Sequence, residues 1–326
     1  MKRTFIFIFA ALILCLSASA AIAKGVIVVV NRGESTLTII DADSMKAVAT
    51  IPTGTGPHEV VLTADGKTAI VSIYGEQTPG NSLSIIDVAT RKETKRVDLG
   101  PMLRPHGLVE LGGKVYFSSE GNRAIGRFDL ATHKVDWIMG TGQNASHMIV
   151  LSADQRRFYT PNVGSDTVTA FEFTAVPPSP SKITQIVVGK QPEAIDISPD
   201  GKQVWVGLNA DGAIDVIDTA TNKVIERLNL GGRPYRVRFT PDGKSLVATM
   251  PNSKELIVID ASTRKETKRI KLDGTALGIA FSADSKKAFV TTSQGDFLNR
   301  VDLEKGEVTT KVATGKVPDG VAVFGL

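Results

Sequence analysis

The chain has 326 residues, with 38 basic against 34 acidic side chains, four histidines and a single cysteine. A balance this close to neutral argues against a nucleic-acid footprint over the whole surface. One cysteine allows neither an internal disulfide nor haem attachment through Cys-x-x-Cys-His.

Residues 1–23 read as a secretory signal peptide. Lys2 and Arg3 form the positive start, Phe5 to Leu16 the apolar stretch, and Ala21-Ile22-Ala23 the small-residue cleavage site before Lys24. A membrane anchor competes, but the apolar run is short for a span and no later segment replaces it. Lipid modification of Cys15 also competes, with Leu14 bulky for the position before the modified cysteine. Export with cleavage is the expectation, to the periplasm or outside the cell. It leaves 36 basic against 34 acidic residues and no thiol. Roughly 300 residues can bury about three quarters of their unfolded surface, so the mature chain needs no staple.

From there the chain repeats. Strand ends recur as Ile39-Ile40-Asp41, Ile85-Ile86-Asp87, Arg127-Phe128-Asp129, Phe171-Glu172-Phe173, Val216-Ile217-Asp218, Val258-Ile259-Asp260 and Arg300-Val301-Asp302, at intervals of 42 to 46 residues. A repeat of that length built of strands specifies a β-propeller, and seven copies specify seven blades. The expected fold is all-β, a seven-bladed β-propeller over residues 24–326 with four antiparallel strands per blade.

The sixth repeat is the template. Gly232-Arg233-Pro234-Tyr235 leads into an innermost strand, and Thr240-Pro241-Asp242-Gly243 makes a tight turn. There Pro presets φ and Gly takes positive φ. Three further strands follow, with Asp260-Ala261-Ser262-Thr263 as the outer corner. The recurring turn residues Asp65, Asp154, Asp200, Asp242 and Asp284, like the corner aspartates, read as turn formers rather than catalytic carboxylates. The identical sextets Arg91–Arg96 and Arg264–Arg269 fall on outer edges, where charge discourages edge-to-edge pairing.

The two ends of the repeat region complement each other. Val26 to Val30 is a second strand with no first strand before it. Val317-Pro318-Asp319-Gly320 introduces a first strand, Val321 to Phe324, with no second strand after it. The C-terminal strand should therefore complete the first blade and close the ring.

The Gly-x-x-Pro lead-ins, Ser/Thr-Pro-Asp-Gly-Lys turns, Phe158-Tyr159-Thr160-Pro161-Asn162 and Ile-Asp-x-x-Thr corners resemble the YVTN-type propeller repeat family of secreted and periplasmic proteins. The resemblance covers essentially the whole mature chain. It implies a seven-bladed, lactonase-like ring and is nearly silent on activity. The fourth repeat departs from the pattern, with Val176-Pro177-Pro178-Ser179-Pro180-Ser181 in place of the usual outer corner.

The residue after the proline that opens each innermost strand should face the mouth of the central channel. In ring order that slot holds Asp319, His58, His106, His147, Glu193, Tyr235 and Leu277, with Ser146 replacing the proline before His147. Three of four histidines thus occupy one repeat position on consecutive blades, with carboxylates on both flanks. Imidazole nitrogen and carboxylate oxygen suit Zn, Cu, Ni or Fe, so His58, His106, His147, Glu193 and Asp319 are candidate ligands of a divalent transition metal. The same histidines could equally be inherited with the repeat and simply hydrogen-bond to water and backbone. Tyr235, Arg104, Arg233, Glu120 and Asn162, on the ring or in loops at that end, are candidate contacts for a bound ligand. His133 falls in an outer corner.

Two functional readings follow. The first is an exported binding platform for a small ligand, a metal ion or an envelope protein through the channel-mouth face, working as a monomer. The second is a metal-dependent hydrolase or lyase, with a lactone as the substrate that the resemblance to lactonase-like propellers implies. There the histidines would be ligands, and Glu193 or Asp319 the fourth ligand or general base. The metal-bearing propeller domain of nitrous oxide reductase is a partial parallel, but this chain has too few histidines for a copper cluster. Nucleic acid is disfavoured as a partner by the near-neutral charge.

Overall fold

The computed structural model describes residues 25–326. The signal-peptide reading, Cys15 included, falls outside them. Within them no helix is long and apolar enough to cross a membrane.

Seven four-stranded antiparallel sheets stand around a central channel, each running in chain order from the channel outwards except the first. That blade takes its innermost strand, Pro318–Phe324, from the C-terminus and its other three, Val26–Asn31, Thr36–Asp41 and Lys46–Pro52, from the N-terminus. Val26 pairs with Phe324 and Asn31 with Pro318, so the ring is closed by backbone hydrogen bonds. Second strands are buried along almost their whole length, as in Val26–Asn31 and Gln203–Leu208, because both faces meet neighbouring blades. Outer strands are largely exposed. Lys92–Asp98 and Glu266–Lys271 carry the charged sextets, with Arg96 Nε 2.6 Å from Glu93 and Arg269 Nε 2.8 Å from Glu266.

The aspartates are turn formers. Asp242 Oδ1 accepts from the Thr240 hydroxyl at 2.7 Å and from the Lys244 amide at 3.1 Å. Asp65, Asp154, Asp200 and Asp284 repeat the hydroxyl bond. At the outer corners Asp41, Asp87, Asp218 and Asp260 accept from the Ser or Thr two or three residues on.

Five of the seven innermost strands begin with an irregularity that matters for the site. The register slips between Pro57 and Val60, Pro105 and Leu108, Pro192 and Ala194, and Ala276 and Ile279. Such bulges bend the strand and re-aim the side chains they contain, here the ring residue and often its successor. The displaced amides are recaptured by hydroxyls on the second strand. Ser72 accepts from Glu59 N at 3.0 Å, Ser118 from Gly107 N at 2.9 Å, Thr249 from Arg236 N at 3.0 Å and Thr291 from Gly278 N at 2.8 Å. Three of these hydroxyls donate in turn to the ring residue of the next blade. Thr249 reaches Leu277 O at 2.9 Å, Thr291 reaches Asp319 O at 2.7 Å, and Ser118 bonds His147 O. In these three blades one hydroxyl thus serves its own strand and stitches it to its neighbour.

Blade four is looser at this point. Its innermost strand shrinks to Val150–Leu151, with an isolated bridge from Ser146 to Asn162. Pro161 lies opposite and has no N–H to give the ladder, only its carbonyl, which accepts from His147 N at 2.9 Å. At the other end of the channel the inner strands enclose a cavity of about 580 Å³ walled largely by Val, Leu, Ile and Phe side chains. Glu110, Asp196 and Arg238 are the charged residues on that wall.

Candidate metal centre at the channel mouth

The ring residues stand side by side and close the channel. Asp319, His58, His106, His147, Glu193, Tyr235 and Leu277 are between 0 and 9% exposed. Close approach of the innermost strands brings this about. A Cβ on Gly278 would sit 2.2 Å from Asp319 O, and one on Gly320 would sit 2.7 Å from His58 O.

The three imidazoles form a continuous arc. Ring centroids are 4.2 Å apart for His58 and His106, and 3.9 Å for His106 and His147. Tyr74, at the end of a second strand, meets both His58 and His106 edge-on, at 5.2 and 5.4 Å. Burial holds all three histidines neutral, with His58 pushed down to about 3 and His106 and His147 well below the ordinary value. A neutral imidazole is the form that ligates a metal.

Each histidine is oriented differently. His147 Nδ1 lies 3.2 Å from Glu193 O, which fixes Nδ1–H as donor and leaves the Nε2 lone pair facing Glu120 Oε1 at 3.6 Å. Glu120 is itself held by the Tyr74 hydroxyl, donating at 2.6 Å to Oε2. Burial pushes the Tyr74 phenol up to about 12, so it keeps that proton. His106 Nδ1 is buried and has no hydrogen-bond partner among the described residues. His58 Nε2 accepts from Arg32 at 3.3 Å, while its Nδ1 lies 3.2 Å from Asp319 Oδ2 but off the hydrogen-bonding line.

Two groups of donor atoms converge within 4.8 Å of one another, His106 with Glu120 and His147, and His58 with Glu59 and His106. The histidine arc therefore gathers as the repeat implied; Asp319 stands 3.2 Å from His58, and Glu120 and Glu59 are the carboxylates that share a donor group with two histidines. Glu193 turns its carboxylate to Arg233, 3.1 Å away, and to Asn209. Asp319 accepts from the Tyr235 hydroxyl at 3.2 Å and stands 3.7 Å from Arg32. Burial raises Glu120, Glu193 and Asp319 above the usual carboxylate range. Arg104 stacks 4.8 Å over the Tyr74 ring at the rim. Asn162 is fully buried. Its amide bonds Ser146, Thr167 and Thr169, which commits it to blade four rather than to a ligand. His133 is exposed in its corner.

Sequence reasoning passed over Glu59 and Arg236, the second residues of their bulges. They form a buried ion pair across the channel beneath the ring, and Arg236 also donates to Tyr235 O at 3.1 Å and lies 4.3 Å over the Tyr235 ring. Burial opposes the charge on Arg236, but Glu59 and neighbouring groups outweigh it and raise its pKa. Arg236→Met should cost about 3–5 kcal/mol, since Glu59 would stay buried without its partner. The double variant Arg236→Met/Glu59→Leu should recover most of that loss. Equal denaturant midpoints for Arg236→Met and the parent chain would remove the pair from the stabilising contacts.

Residues 112–273 match the family model described as YNCE-like beta-propeller. This chain is a seven-bladed β-propeller, and the match spans just under half of it. The ring superposes on a functionally unknown protein from Desulfotomaculum acetoxidans DSM 771 with a TM-score of 0.76 and 14% identity, over 91% of this chain and 98% of that one. It superposes on Kuenenia stuttgartiensis hydrazine synthase with a TM-score of 0.69 and 19% identity, over 81% and 88%. For the dihydro-heme d1 dehydrogenase NirN in complex with DHE the TM-score is 0.65 and the identity 19%, over 89% of this chain and 64% of that one. At these identities the likeness is one of fold. No curated protein sequence matches.

Proposed function

We propose that this propeller is an exported platform that binds a divalent transition metal at its channel mouth, through His106, Glu120 and His147, with His58 alongside. The observation that carries the reading is the buried, unpartnered Nδ1 of His106 beside two ligands that are already oriented. A carbonyl fixes the His147 tautomer and a tyrosine hydroxyl fixes the Glu120 carboxylate, the outer-shell support that metal ligands characteristically receive. Donors about 2.0–2.1 Å from a tetrahedral ion stand roughly 3.3 Å apart. The His147–Glu120 separation of 3.6 Å needs little adjustment to reach that. The Glu59 group is the weaker site, because Glu59 is already neutralised by Arg236.

Elemental analysis of the untagged mature protein tests this. Near one equivalent of Zn, Cu, Ni or Fe is expected, lost in His106→Ala/His147→Ala and reduced in Glu120→Gln. Metal-free protein that takes up none on supplementation would leave a platform for a small molecule or envelope protein without a metal.

A second reading, a metal-assisted hydrolase or lyase of the lactonase type, is favoured by one feature. Three protein ligands leave a position open to water or substrate, where a metal would act as Lewis acid. Metal-dependent turnover of a lactone, abolished by His106→Ala, is its expected signature. Inactivity across an ester and lactone panel would leave the binding role alone.

A further inference from the structure

We propose that the metal-loaded mouth binds a small 2-hydroxycarboxylate, with its carboxylate held by Arg233 and its hydroxyl received by Asn209. The inference rests on the metal reading above and names the ligand class for the same site.

The first argument is charge. Four carboxylates (Glu59, Glu120, Glu193 and Asp319) face four guanidiniums (Arg32, Arg104, Arg233 and Arg236) around three neutral histidines. That set cancels as it stands. A divalent ion would add two positive charges to a mouth whose ring residues are almost fully withdrawn from water, and charges interact strongly in such surroundings. The loaded site therefore favours an anion from solution, and a carboxylate offers oxygen both to the ion and to a guanidinium fork.

The second argument is a pair of complementary orphans. Arg233 Nε and Asn209 Oδ1 are both buried without a hydrogen-bond partner among the described residues. They flank the same group, since Arg233 NH2 and Asn209 Nδ2 both donate to Glu193 Oε2. Arg233 Nε can only donate and Asn209 Oδ1 can only accept. A carboxylate satisfies the first and an adjacent hydroxyl the second, and the 2-hydroxy acid joins these two groups on neighbouring atoms. Glu193 lies in the ring next to His147, and its own carbonyl orients that histidine, so the orphan pair borders the metal centre. Arg104 stands over Tyr74 on the Glu120 side and gives one hydrogen bond to Glu76 O at 3.0 Å.

Calorimetric titration of glycolate into zinc-loaded, untagged protein tests the proposal, with acetate and inorganic phosphate as companions. One saturable site for glycolate is expected, at least tenfold tighter than acetate or phosphate and at least tenfold weaker in metal-free protein. Zinc affinity should rise by that same factor when glycolate is present, because binding couplings are reciprocal. Arg233→Gln should weaken glycolate at least tenfold at unchanged zinc content, and Asn209→Leu should erase the preference over acetate. Equal glycolate affinity with and without zinc, phosphate binding as tight as glycolate, or indifference to both substitutions would overturn the proposal. Zinc bound stoichiometrically with no anion uptake overturns this inference and leaves the metal reading standing. Failure to take up Zn, Cu, Ni or Fe overturns both.

Discussion

A chain ending at Lys316 is expected to lose its cooperative fold at ordinary temperature. The missing segment holds the innermost strand of blade one, and its loss exposes the backbone of Val26–Asn31 as a long apolar edge. Val321 and Val323 pack with Ile27, Val29 and Leu326 on one side, and Phe324 packs with Val26, Val28 and Val30 on the other. Phe324 also lies over the tight turn at Gly66, where a Cβ would come within 2.2 Å of its ring. Burial of such side chains contributes about 1.5–3 kcal/mol each. Val321, Val323, Phe324 and Leu326 are half-buried and contribute a fraction of that each, to which the lost pairing with Val26–Asn31 adds, against the about 5–15 kcal/mol net stability of a typical domain. The truncation also removes Asp319, and with it the Tyr235 and Thr291 bonds that bind blades six and seven to blade one. Near-UV circular dichroism and thermal melting should show a chain without fixed tertiary packing, and size exclusion should show association through the open edge. A melting midpoint within a few degrees of the parent would contradict closure by this strand.

The architecture was open to sequence reading because a propeller states its strands seven times. Single errors of boundary average out, and the odd pairing of Val26–Asn31 with Pro318–Phe324 follows from one strand missing at one end and spare at the other. Blade four shows the limit. The template implied a full innermost strand there, but Pro161 removes a donor from the second strand and only Val150–Leu151 remains paired.

The site was legible as a list of positions and not as a set of contacts. The slot after the proline yielded His58, His106 and His147 correctly as neighbours, since equivalent positions on adjacent blades must meet at the axis. The carboxylates were harder. Glu193 turns to Arg233, Asp319 is shared between His58 and Tyr235, and Glu120 reaches the histidines from a loop and Glu59 from the position below. A strict two-residue alternation turns Glu59 and Arg236 away from the ring residues, and the bulge breaks that alternation. Two signals could have exposed it. Gly107, Gly278 and Gly320 recur at that second slot, and Ser72, Ser118, Thr160, Thr249 and Thr291 recur as small hydroxyls in the middle of otherwise apolar second strands.

Acid should destabilise this propeller earlier than carboxylate titration alone would, beginning near pH 6.5. His58 titrates at about 3 in the folded chain against an ordinary 6.5, and His106 and His147 are lowered by the same burial. Above pH 6.5 these groups are neutral in both states and cost nothing. As pH falls below that value the unfolded chain binds protons that the folded chain refuses, so stability drops until the folded pKa is reached. One pH unit below the unfolded pKa the loss is about 1.4 kcal/mol per histidine, or about 4 kcal/mol for three. Glu120, Glu193 and Asp319 work in the opposite sense. Their folded pKa values are raised by burial, so the folded chain takes up their protons first and gains relative stability as pH falls through those values towards the unfolded ones. That gain offsets part of the histidine loss. The turn aspartates belong to a separate range. Asp260 and Asp302 sit at about 2, held down chiefly by hydrogen bonds from Thr263 and Lys287 respectively, and their contribution fades only below about pH 4. Urea midpoints between pH 7.5 and 5.5, taken with a chelator present, should therefore fall steeply. They should fall less in His106→Gln, which removes one of the three titrating groups. A midpoint that stays level across that interval would mean the imidazoles reach solvent or accept protons in place, and the closed, neutral histidine arc would have to be abandoned.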